Sequence, residues 1–590
     1  MSKKFFALAL CLLVSAGMAF AQKGEITGVV TDASSGEGIP FASIMEKGTM
    51  NGISSEADGT YRIKVADMSK AVLVFSSVGY NTLEIPVAGR AVVNVALATD
   101  NVLDDVIVVA YGTATKESFT GSATMVKSED IEKKIATNVT SALAGTTPGV
   151  QMISSNGDPT SNGSTIRIRG IGSMSASSSP LIILDGAPYD GSISNINPQD
   201  IESMSVLKDA AASAIYGHRG ANGVIIITTK KGKAGDATVK LDARFGSNSR
   251  LIPQYDVIDD PATYYELAYR RLFGSYYYSG HTLAESYAFA DNNLYNEKNG
   301  GLGYKVYTLP EGQKLIGTNF KLNPNAKLGY SDGEYYYIPD DWYKETFHNS
   351  FRKEYNMSVS GANDRFNYYG SVGYLDDGGI ISNSRFQRYT GLINADYQVK
   401  KWMKVVSSFN YTHSNSQTNG SNNSWGSSGN VFYVANNMGP IYPLYVRNAD
   451  GSIKTEGGRV IYDSNNTNFM RPATVGNAIR DNEYDHDEYL RDVITGKGGI
   501  ILTPIKGLSL TANVSMTNST TREVELGSIF GSAASVDGSS YVYAGRMFTV
   551  NQQYLANYKF HVADVHNFEL LGGYEQYKRR GRLRSCRPRG

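Results

Sequence analysis

The chain has 590 residues, enough for about three or four domains, and is rich in aromatic residues (40 Tyr, 21 Phe, 3 Trp) and in glycine (61). This composition favours strands and turns and argues against coiled coil, collagen and disorder. Basic and acidic residues are equal in number (56 each), but bases concentrate at both ends, so the body is acidic and nucleic-acid binding is disfavoured.

Few residue types suited to metal or redox chemistry are present. The two cysteines, Cys11 and Cys586, lie near the ends, so the sequence between them has no disulfide, thiolate zinc site or cysteine nucleophile. The seven histidines form no close ligand pair and no GxSxG motif occurs, so we predict no enzyme, no cofactor and no metal. Acidic residues surrounding His486 could ligate Ca²⁺, but they lack EF-hand spacing and a solvated loop is favoured: Asp481, Glu483, Asp485, Asp487 and Glu488.

Residues 1–21 have the pattern of a signal peptide. Lys3 and Lys4 precede the apolar stretch Phe5 to Val14, and Ala19-Phe20-Ala21 forms a small-residue cleavage site. The apolar stretch is far shorter than the ~20 residues of a spanning helix. We therefore expect export to the periplasm, the medium or the outer membrane, whose barrel strands need no long apolar segment.

Residues 23–98 predict a small β-sandwich. Short β-rich segments alternate with turn clusters, and we expect strands at Ile26 to Val30, Ala42 to Met45, Thr60 to Val65, Val72 to Ser76 and Val92 to Leu97. The order Gly28-Val29-Val30-Thr31-Asp32, Gly38-Ile39-Pro40 and Asp58-Gly59-Thr60-Tyr61 resembles the carboxypeptidase regulatory-like domain, which is not catalytic.

Residues 103–114 contain an extended segment between two domains. It includes Asp105, Val106, Ile107, Val108 and Val109 and precedes a Thr/Ser/Lys stretch. By pattern alone it is an ordinary edge strand; in this position it resembles the TonB box of energy-coupled outer-membrane receptors. Such a segment can pair its backbone with the sheet edge of a partner. The resemblance implies that this partner is TonB.

Residues 115–233 predict a compact α/β domain. Its strands are expected at Thr165 to Arg169, Leu181 to Leu184 and Gly223 to Thr229, with a helix capped by Asp209. The glycines between this helix and the last strand do not fit a phosphate-binding loop, because they precede a strand instead of opening a helix. They are better suited to a tight helix-to-strand connection.

Several motifs of this domain resemble the plug of SusC/RagA-type TonB-dependent transporters. The residues that carry the resemblance are Arg167, Arg169, Gly170, Asp185, Gly186, Tyr216, Gly217, Arg219, Gly220, Asn222 and Gly223. A serine is commoner in the family where this chain has His218. Because Arg167 and Arg169 alternate with isoleucines, we expect both guanidinium groups on one face, meeting carboxylates of a barrel lumen; a solvated strand face is the alternative.

Residues 235–577 predict about nine strands, which form part of a larger antiparallel transmembrane β-barrel. Apolar and polar residues alternate, and aromatics lie at strand ends, as in the interfacial girdles of barrels. Short turns alternate with long polar stretches, notably residues 252–348 and 415–485, which suit extracellular loops. A typical example of the alternation is the apolar set Leu508, Leu510, Ala512, Val514 and Met516.

The fold class is therefore mainly β: a β-sandwich, an α/β plug and a partial barrel. The resemblance implies an outer-membrane nutrient transporter that works with TonB and a SusD-type surface lipoprotein, within outer-membrane lipid, on oligosaccharides or peptides. A secreted multi-domain β adhesin or glycan-binding protein is the alternative. It accounts for export and for tyrosine-rich loops but not for the plug motifs.

Residues 578–590 break the alternation and contain seven bases. We expect a frame shift near residue 577 or a shortened gene, although a basic tail that binds anionic lipid or nucleic acid is the alternative. A partial barrel leaves edge strands unpaired in lipid. The chain as written is therefore expected not to transport and to be degraded in the periplasm.

Overall fold

The computed structural model describes residues 24–586 except for 34, 50, 78–79, 98–105, 110–111, 116–122, 135–136, 138, 154–158, 161–164, 173–177, 209–213, 234, 252, 419–430, 464–476, 532–536 and 563–565. The chain divides into two compact units. The first comprises Met1–Val108 and Gly112–Thr120, and the second comprises Val109–Tyr111 and Gly121–Gly590. No helix within the described ranges is long and apolar enough to cross a membrane.

The first unit contains a β-sandwich. A three-stranded sheet of order β4-β1-β7 and a four-stranded sheet of order β3-β2-β5-β6 enclose an apolar core that includes Ile26, Ile44 and Phe75, all fully buried. The strands are β1 (Gly24–Asp32), β2 (Ser43–Glu46), β3 (Gly52–Ser54), β4 (Thr60–Val65), β5 (Val72–Ser76), β6 (Leu83–Pro86) and β7 (Val95–Leu97).

The predicted sandwich is confirmed, with two strands that the sequence did not indicate. All three side chains of β3 are exposed, and so are three of the four in β6. Neither strand therefore shows the alternation of apolar and polar residues on which strand prediction depends. Two further short strands of this region, β8 (Val106–Val109) and β9 (Gly112–Thr115), form a separate two-stranded sheet.

The second unit begins with the plug, which is built on a five-stranded sheet of order β10-β15-β16-β13-β14; β11 and β12 pair separately. Its elements are β10 (Ala123–Lys127), α1 (Ser128–Glu132), α2 (Val139–Leu143), β11 (Val150–Ile153), β12 (Thr165–Ile168), β13 (Leu181–Leu184), β14 (Ala187–Pro188), β15 (Ile201–Leu207) and β16 (Val224–Thr229). Short 3₁₀ turns cover Ile193–Asn195, Pro198–Asp200 and Ala214–Gly220.

Strands β12, β13 and β16 lie where the sequence predicts them, but the sequence analysis did not predict β15. It neighbours β16 within the sheet and six of its seven residues are buried, including Ser203 and Ser205. Serines on a fully buried strand remove the periodic signal. The expected cap Asp209 lies outside the described residues.

The remainder of the unit consists of nine long strands with two long loops. β17 (Gly235–Asn248) is followed by a loop that holds α3 (Pro261–Tyr277), α4 (Leu283–Asn293), the short strands β18 (Tyr307–Thr308), β19 (Lys327–Leu328), β20 (Tyr330–Ser331) and β21 (Tyr336–Tyr337), and α5 (Trp342–Thr346). Next come β22 (Ser350–Ala362), β23 (Phe366–Gly378), β24 (Arg385–Lys400) and β25 (Met403–Thr418). The second loop holds α6 (Val431–Asn437), β26 (Thr455–Glu456), β27 (Arg459–Val460) and α7 (Ala478–Tyr484), and the last strands are β28 (His486–Leu502), β29 (Leu508–Gly527), β30 (Ser539–Val562) and β31 (His566–Cys586).

The long strands form one antiparallel sheet of order β17-β22-β23-β24-β25-β28-β29-β30-β31, called the wall below. Its nine strands within the described ranges agree with the predicted number. The expected end of the last strand at Tyr577 is wrong. β31 continues to Cys586, paired with Val542 of β30, because β30 is 24 residues long and offers backbone partners beyond Tyr577.

The two faces of the wall differ, as β24 shows. Every second side chain from Phe386 to Asp396 is buried on the inner face, which contacts the plug, and most of these are polar. On the outer face Tyr389, Ile393 and Tyr397 are 48%, 60% and 45% exposed. Eight residue steps separate the two tyrosines, about 27 Å along a strand. At a tilt of ~40° this is close to the ~25 Å apolar band of membrane barrels.

The first long loop is folded, which the sequence analysis did not anticipate. Asp260 caps α3 by accepting from the N–H groups of Ala262 and Thr263, and Thr282 with Glu285 forms a capping box at α4. The two helices pack around an aromatic core that includes Tyr265, Tyr269 and Tyr304. The second loop is described only in part.

Candidate functional site

The TonB-box-like segment is only partly described. Val106–Val109 forms β8, and Asp105 lies outside the described residues. Among the described residues, β8 pairs with β9 in a sheet of two strands. One edge of β8 therefore carries backbone groups that the sheet does not use, as pairing with a further strand requires.

The Asp185–Gly186 motif forms a tight turn between β13 and β14. Both residues have left-handed backbone angles, with φ of 48° at Asp185 and 82° at Gly186. The Asp185 carboxylate accepts from the backbone N–H and from the hydroxyl of Thr229, both at 2.8 Å. These bonds join the turn to the end of β16 and offset the strain of the left-handed aspartate.

The glycine-rich motif leads from a 3₁₀ segment, Ala214–Gly220, into β16, whereas most of the predicted helix from Asp209 lies outside the described residues. Gly217 and Gly223 have φ of 60° and 85°, and Tyr216 is buried. A Cβ atom at Gly223 would lie 2.8 Å from the side chain of Ile168 and 3.0 Å from the carbonyl oxygen of Leu207. The motif is thus a packing device in which glycine allows β12 and β15 to approach the loop.

The remaining motif residues lie at the end of this connection. The Arg219 guanidinium lies 4.6 Å from the ring centre of Tyr577 and 3.9 Å from the Glu575 carboxylate, both on β31. Asn222 donates weakly to the carbonyl of Ser179 at 3.4 Å. Gly220 ends the 3₁₀ turn.

Arg167 and Arg169 do not occupy the position expected of them. Arg167 lies on β12 and, among the described residues, its guanidinium donates to the carbonyl of its own neighbour Ile166, while Arg169 is exposed with a φ of 56°. Within the described ranges neither guanidinium forms an ion pair with a wall carboxylate. The left-handed backbone at Arg169 and Gly170 ends the strand, so the alternation that predicted a shared face stops there.

The buried guanidinium of the plug–wall interface comes from the wall instead. Arg388 of β24 is 2% exposed, and its Nη1 donates to the carbonyls of Thr137 and Ser194 at 3.0 and 2.8 Å. Sequence analysis missed it because Arg388 has the ordinary appearance of a polar residue on a barrel strand. Its inward position in β24 was the only available signal.

Asp200 is a second buried charge at the interface. It ends a 3₁₀ turn of the plug, and its Oδ1 accepts from the hydroxyls of Tyr369 at 3.0 Å and Ser371 at 2.6 Å, both on β23. Burial raises the pKa of Asp200, and the two hydroxyl donors oppose that change. Its Oδ2 has no hydrogen-bond partner among the described residues.

Amide side chains complete the interface on β22 to β25. Asn197 donates to Asn356 at 2.8 Å, Thr412 donates to the Asn195 carbonyl at 3.0 Å, and Asn394 donates to Thr229 at 2.8 Å. The Thr412 bond satisfies a backbone carbonyl of a 3₁₀ turn that would otherwise be buried without a partner, and the other two bonds pair polar side chains across the interface. On the opposite side, Lys497 donates to the Asp185 carbonyl, and Gln553 donates to the Gly186 carbonyl at 3.0 Å.

Glu132 holds the start of the plug to β17. Its carboxylate bonds Lys230 at 2.5 Å and Lys240 at 3.1 Å. Burial alone would raise the pKa of Glu132, but the hydrogen bonds and charge of these lysines, with a bond from Ser128, outweigh it and lower the pKa to about 2. The group is therefore ionised at neutral pH and bridges plug and wall.

The acidic residues near His486 are only partly loop residues. Asp481 in α7 pairs with Arg480, and Asp485 accepts from the backbone N–H of Ser528. The carboxylates that converge are Asp487, Glu523 and Glu525, whose oxygens lie within 4.8 Å of one another. They belong to neighbouring positions of β28 and β29.

The comparisons with known proteins agree with this architecture. Residues 115–224 match the TonB-dependent Receptor Plug Domain and residues 26–109 match the CarboxypepD_reg-like domain. The second match includes Val106–Val109, the described part of the TonB-box-like segment.

Similar proteins cover most of the chain. It is 33% identical over 408 residues to the TonB-dependent receptor SusC of Bacteroides thetaiotaomicron, which is 67% of this chain and 34% of that protein. It is 30% identical over 580 residues to the TonB-dependent receptor P3 of Formosa agariphila, 96% of this chain and 49% of that protein.

A solved structure, that of the RagAB peptide importer in the "open-open" state, aligns with a TM-score of 0.60 and 26% identity over 82% of this chain and 50% of that one. The chain spans about half, or less, of the length of the proteins it matches. The family matches cover the sandwich and the plug, and the alignment with the receptor P3 extends over 96% of the chain. The chain belongs to the SusC/RagA family of TonB-dependent receptors.

Proposed function

We propose that, at the full length of its relatives, this protein is a TonB-dependent transporter of the outer membrane that imports oligosaccharides or peptides and has no enzyme activity. The observation that carries the proposal is a plug hydrogen-bonded to the polar inner face of a sheet whose outer face is apolar over a membrane's width. The similarity to SusC and to a peptide importer supports transport. The RagAB peptide importer suggests peptides, and the family resemblance implies oligosaccharides, without deciding between the two classes.

Energy is proposed to enter through residues 105–109. TonB would pair with the free edge of β8 by adding a strand, which requires backbone groups and strand propensity but little side-chain identity. Pulling on this segment would reach the plug through β10, the edge strand of its sheet. The plug would then rearrange and open a path for the ligand.

A SusD-type surface lipoprotein is proposed as the second partner, as family membership implies. The helices α3 and α4 give the first long loop a core of its own, so it can present a defined surface. Export by residues 1–21 and insertion into the outer membrane belong to the same proposal. Extraction from an outer-membrane fraction only by detergent would support it; release without detergent would favour the secreted adhesin.

Two substitutions at Ile107 test the coupling. Proline lacks a backbone N–H and disrupts strand pairing, whereas threonine keeps high strand propensity. We expect Ile107→Pro to abolish uptake by cells, Ile107→Thr to preserve it, and both to leave ligand binding at the cell surface unchanged. Normal uptake by the proline variant would contradict coupling at this segment, as would normal uptake after deletion of residues 105–109.

A further inference from the structure

A cavity of about 430 Å³ lies between the plug and strands β28 to β30, within the size range of small-ligand sites. The plug contributes the turn that follows β14, and the wall contributes side chains that alternate onto its inner face. The residues that matter below are Asp190, Ser192, Tyr489, Arg491, Thr521 and Tyr543.

Arg491 is the distinctive group of this cavity. Its Nη2 donates to the Tyr489 hydroxyl at 2.7 Å, and the guanidinium lies 5.0 Å from the centre of that ring. Its Nε atom is buried and has no acceptor among the described residues. A buried N–H without an acceptor is costly, so it marks a position where an acceptor from outside the chain would be stabilised.

No carboxylate of the described residues forms an ion pair with Arg491. The nearest acid of the cavity, Asp190, accepts instead from the Tyr577 hydroxyl. Partly buried guanidinium groups ordinarily pair with an anion. The charge of Arg491 is therefore left for a ligand, and Tyr489 holds the group in position through its hydroxyl and its ring.

The charge of the surroundings defines the ligand further. Arg546 also lines the cavity, but its side chain is exposed and its Nε donates to Asn518 at 2.8 Å, so Arg491 is the guanidinium whose Nε lacks an acceptor among the described residues. One guanidinium neutralises one negative charge, and its planar fork of N–H groups matches a carboxylate. Three carboxylates, Asp487, Glu523 and Glu525, converge on β28 and β29: Asp487 and Glu523 lie two residues from Tyr489 and Thr521, and Glu525 is the strand partner of Asp487. They would repel a dianion such as phosphate more strongly than a carboxylate.

We propose that Arg491 binds a carboxylate of the imported ligand in this cavity, with tyrosine rings and hydroxyl groups contacting the rest of the molecule. The inference rests on the proposed transport function and narrows its substrates to acidic ones. The carboxylate could belong to a uronic-acid oligosaccharide or to the C-terminus of a peptide. Both offer the same group to Arg491, and the experiment separates them.

The test is calorimetric binding to the purified full chain in detergent, with two pairs of probes. One pair is trigalacturonate and its methyl ester, and the other is trialanine and its C-terminal amide. We expect the charged member of one pair to bind about tenfold or more tightly than its neutral partner, since losing a buried charged contact has an effect of that size. The pair that responds identifies the source of the carboxylate.

Variants of Arg491 show whether the preference depends on this residue. Arg491→Gln should remove it and Arg491→Lys, which keeps the charge but not the fork, should reduce it in part. The matched control is Arg522→Gln, because Arg522 is exposed on the outer face of β29. A wild-type protein that binds neither charged probe, or no better than the neutral ones, would overturn the proposal, as would an Arg491→Gln variant that keeps the preference.

Binding needs no TonB, so this result is independent of the uptake experiment at Ile107. A charge preference that depends on Arg491, together with unaltered uptake in the Ile107→Pro strain, would refute energy coupling while leaving the binding site. The reverse combination would refute the site alone.

Discussion

The guanidinium group of Arg388 is buried and has little contact with water. The stability of the plug–wall interface therefore depends on the hydrogen bonds that this group makes to protein carbonyls. Replacing it with methionine leaves the Thr137 and Ser194 carbonyls without their donor, and the neighbouring acids Glu354 and Asp377 lose a positive charge. Removing one member of a buried charge network costs about 3–5 kcal/mol.

We therefore expect Arg388→Met to lower the free energy of unfolding in detergent by that amount and to make the pore leak to large antibiotics. The matched control is Arg385→Met, three residues earlier on the same strand. Its side chain is 51% exposed, and its partner Asp376, although buried, keeps an ion pair with Lys353, so this substitution should cost less, about 1 kcal/mol. Equal losses for the two variants would contradict the assignment.

The pKa of Glu132 predicts how the stability of the folded protein depends on pH. Its pKa is about 2 in the folded protein against 4.5 for the free group, so its ionised form is stabilised by folding. That stabilisation is complete above pH 4.5 and is lost as the pH falls towards 2. Unfolding of the Glu132→Gln variant should be less sensitive to pH in this window than that of the wild type.

Asp200 provides the contrast, because burial raises its pKa and disfavours its charge. Asparagine keeps an oxygen acceptor for Tyr369 and Ser371, so Asp200→Asn should leave stability at pH 7 unchanged or increase it. A marked loss of stability would show that the charge of Asp200 is needed.

Among the elements, the connection from the 3₁₀ turn to β16 depends on Gly223. Alanine there would have both a left-handed backbone and a Cβ 3.0 Å from the Leu207 carbonyl oxygen. At Gly170 the backbone is also left-handed, with a φ of 96°, but no atom lies within 4 Å.

Gly170→Ala should therefore cost only the backbone strain, about 1–2 kcal/mol. Gly223→Ala should cost a further ~1–3 kcal/mol for overpacking. Urea unfolding of the two variants measures the difference, and similar midpoints would mean that β12 and β15 can move apart.

Elements with a regular pattern were predictable from the sequence and those without one were not. β13 and β24 alternate or are continuously apolar, and their positions follow from that. β15 has buried serines, which interrupt its apolar pattern. The stretch that contains α3 and α4 is rich in tyrosine and asparagine, and its capping residues, not an apolar face, indicate the two helices. The plug motifs identified the family, yet the roles of Arg388, Asp200 and Arg491 could not be predicted, because they arise only when plug and wall are brought together. The inward position of Arg388 in β24 did not by itself distinguish it from other polar residues of the wall.

For the whole molecule, the apolar outer face predicts where the membrane lies. Ile393 is at the middle of the exposed band on β24 and Val399 is near its end, on the same face. An arginine at the middle of the bilayer costs about 2–4 kcal/mol and one near the interface about 0–1.

Ile393→Arg should therefore reduce insertion into outer-membrane lipid or liposomes far more than Val399→Arg, as measured by the protease-resistant fraction. Equal insertion would contradict a membrane location for this face.

The bonds between plug and wall join residues that are distant along the chain. Arg388 and Thr137 are 251 positions apart, and Ser416 and Thr160 are 256 apart. The plug is synthesised before β24 and β25, because it precedes them in the sequence. Until those strands are present, the plug carbonyls form hydrogen bonds with water. Contacts of such long sequence separation form slowly, since the intervening chain must first be ordered. We therefore expect the plug to seat against the wall late in folding, only after β24 and β25 are ordered.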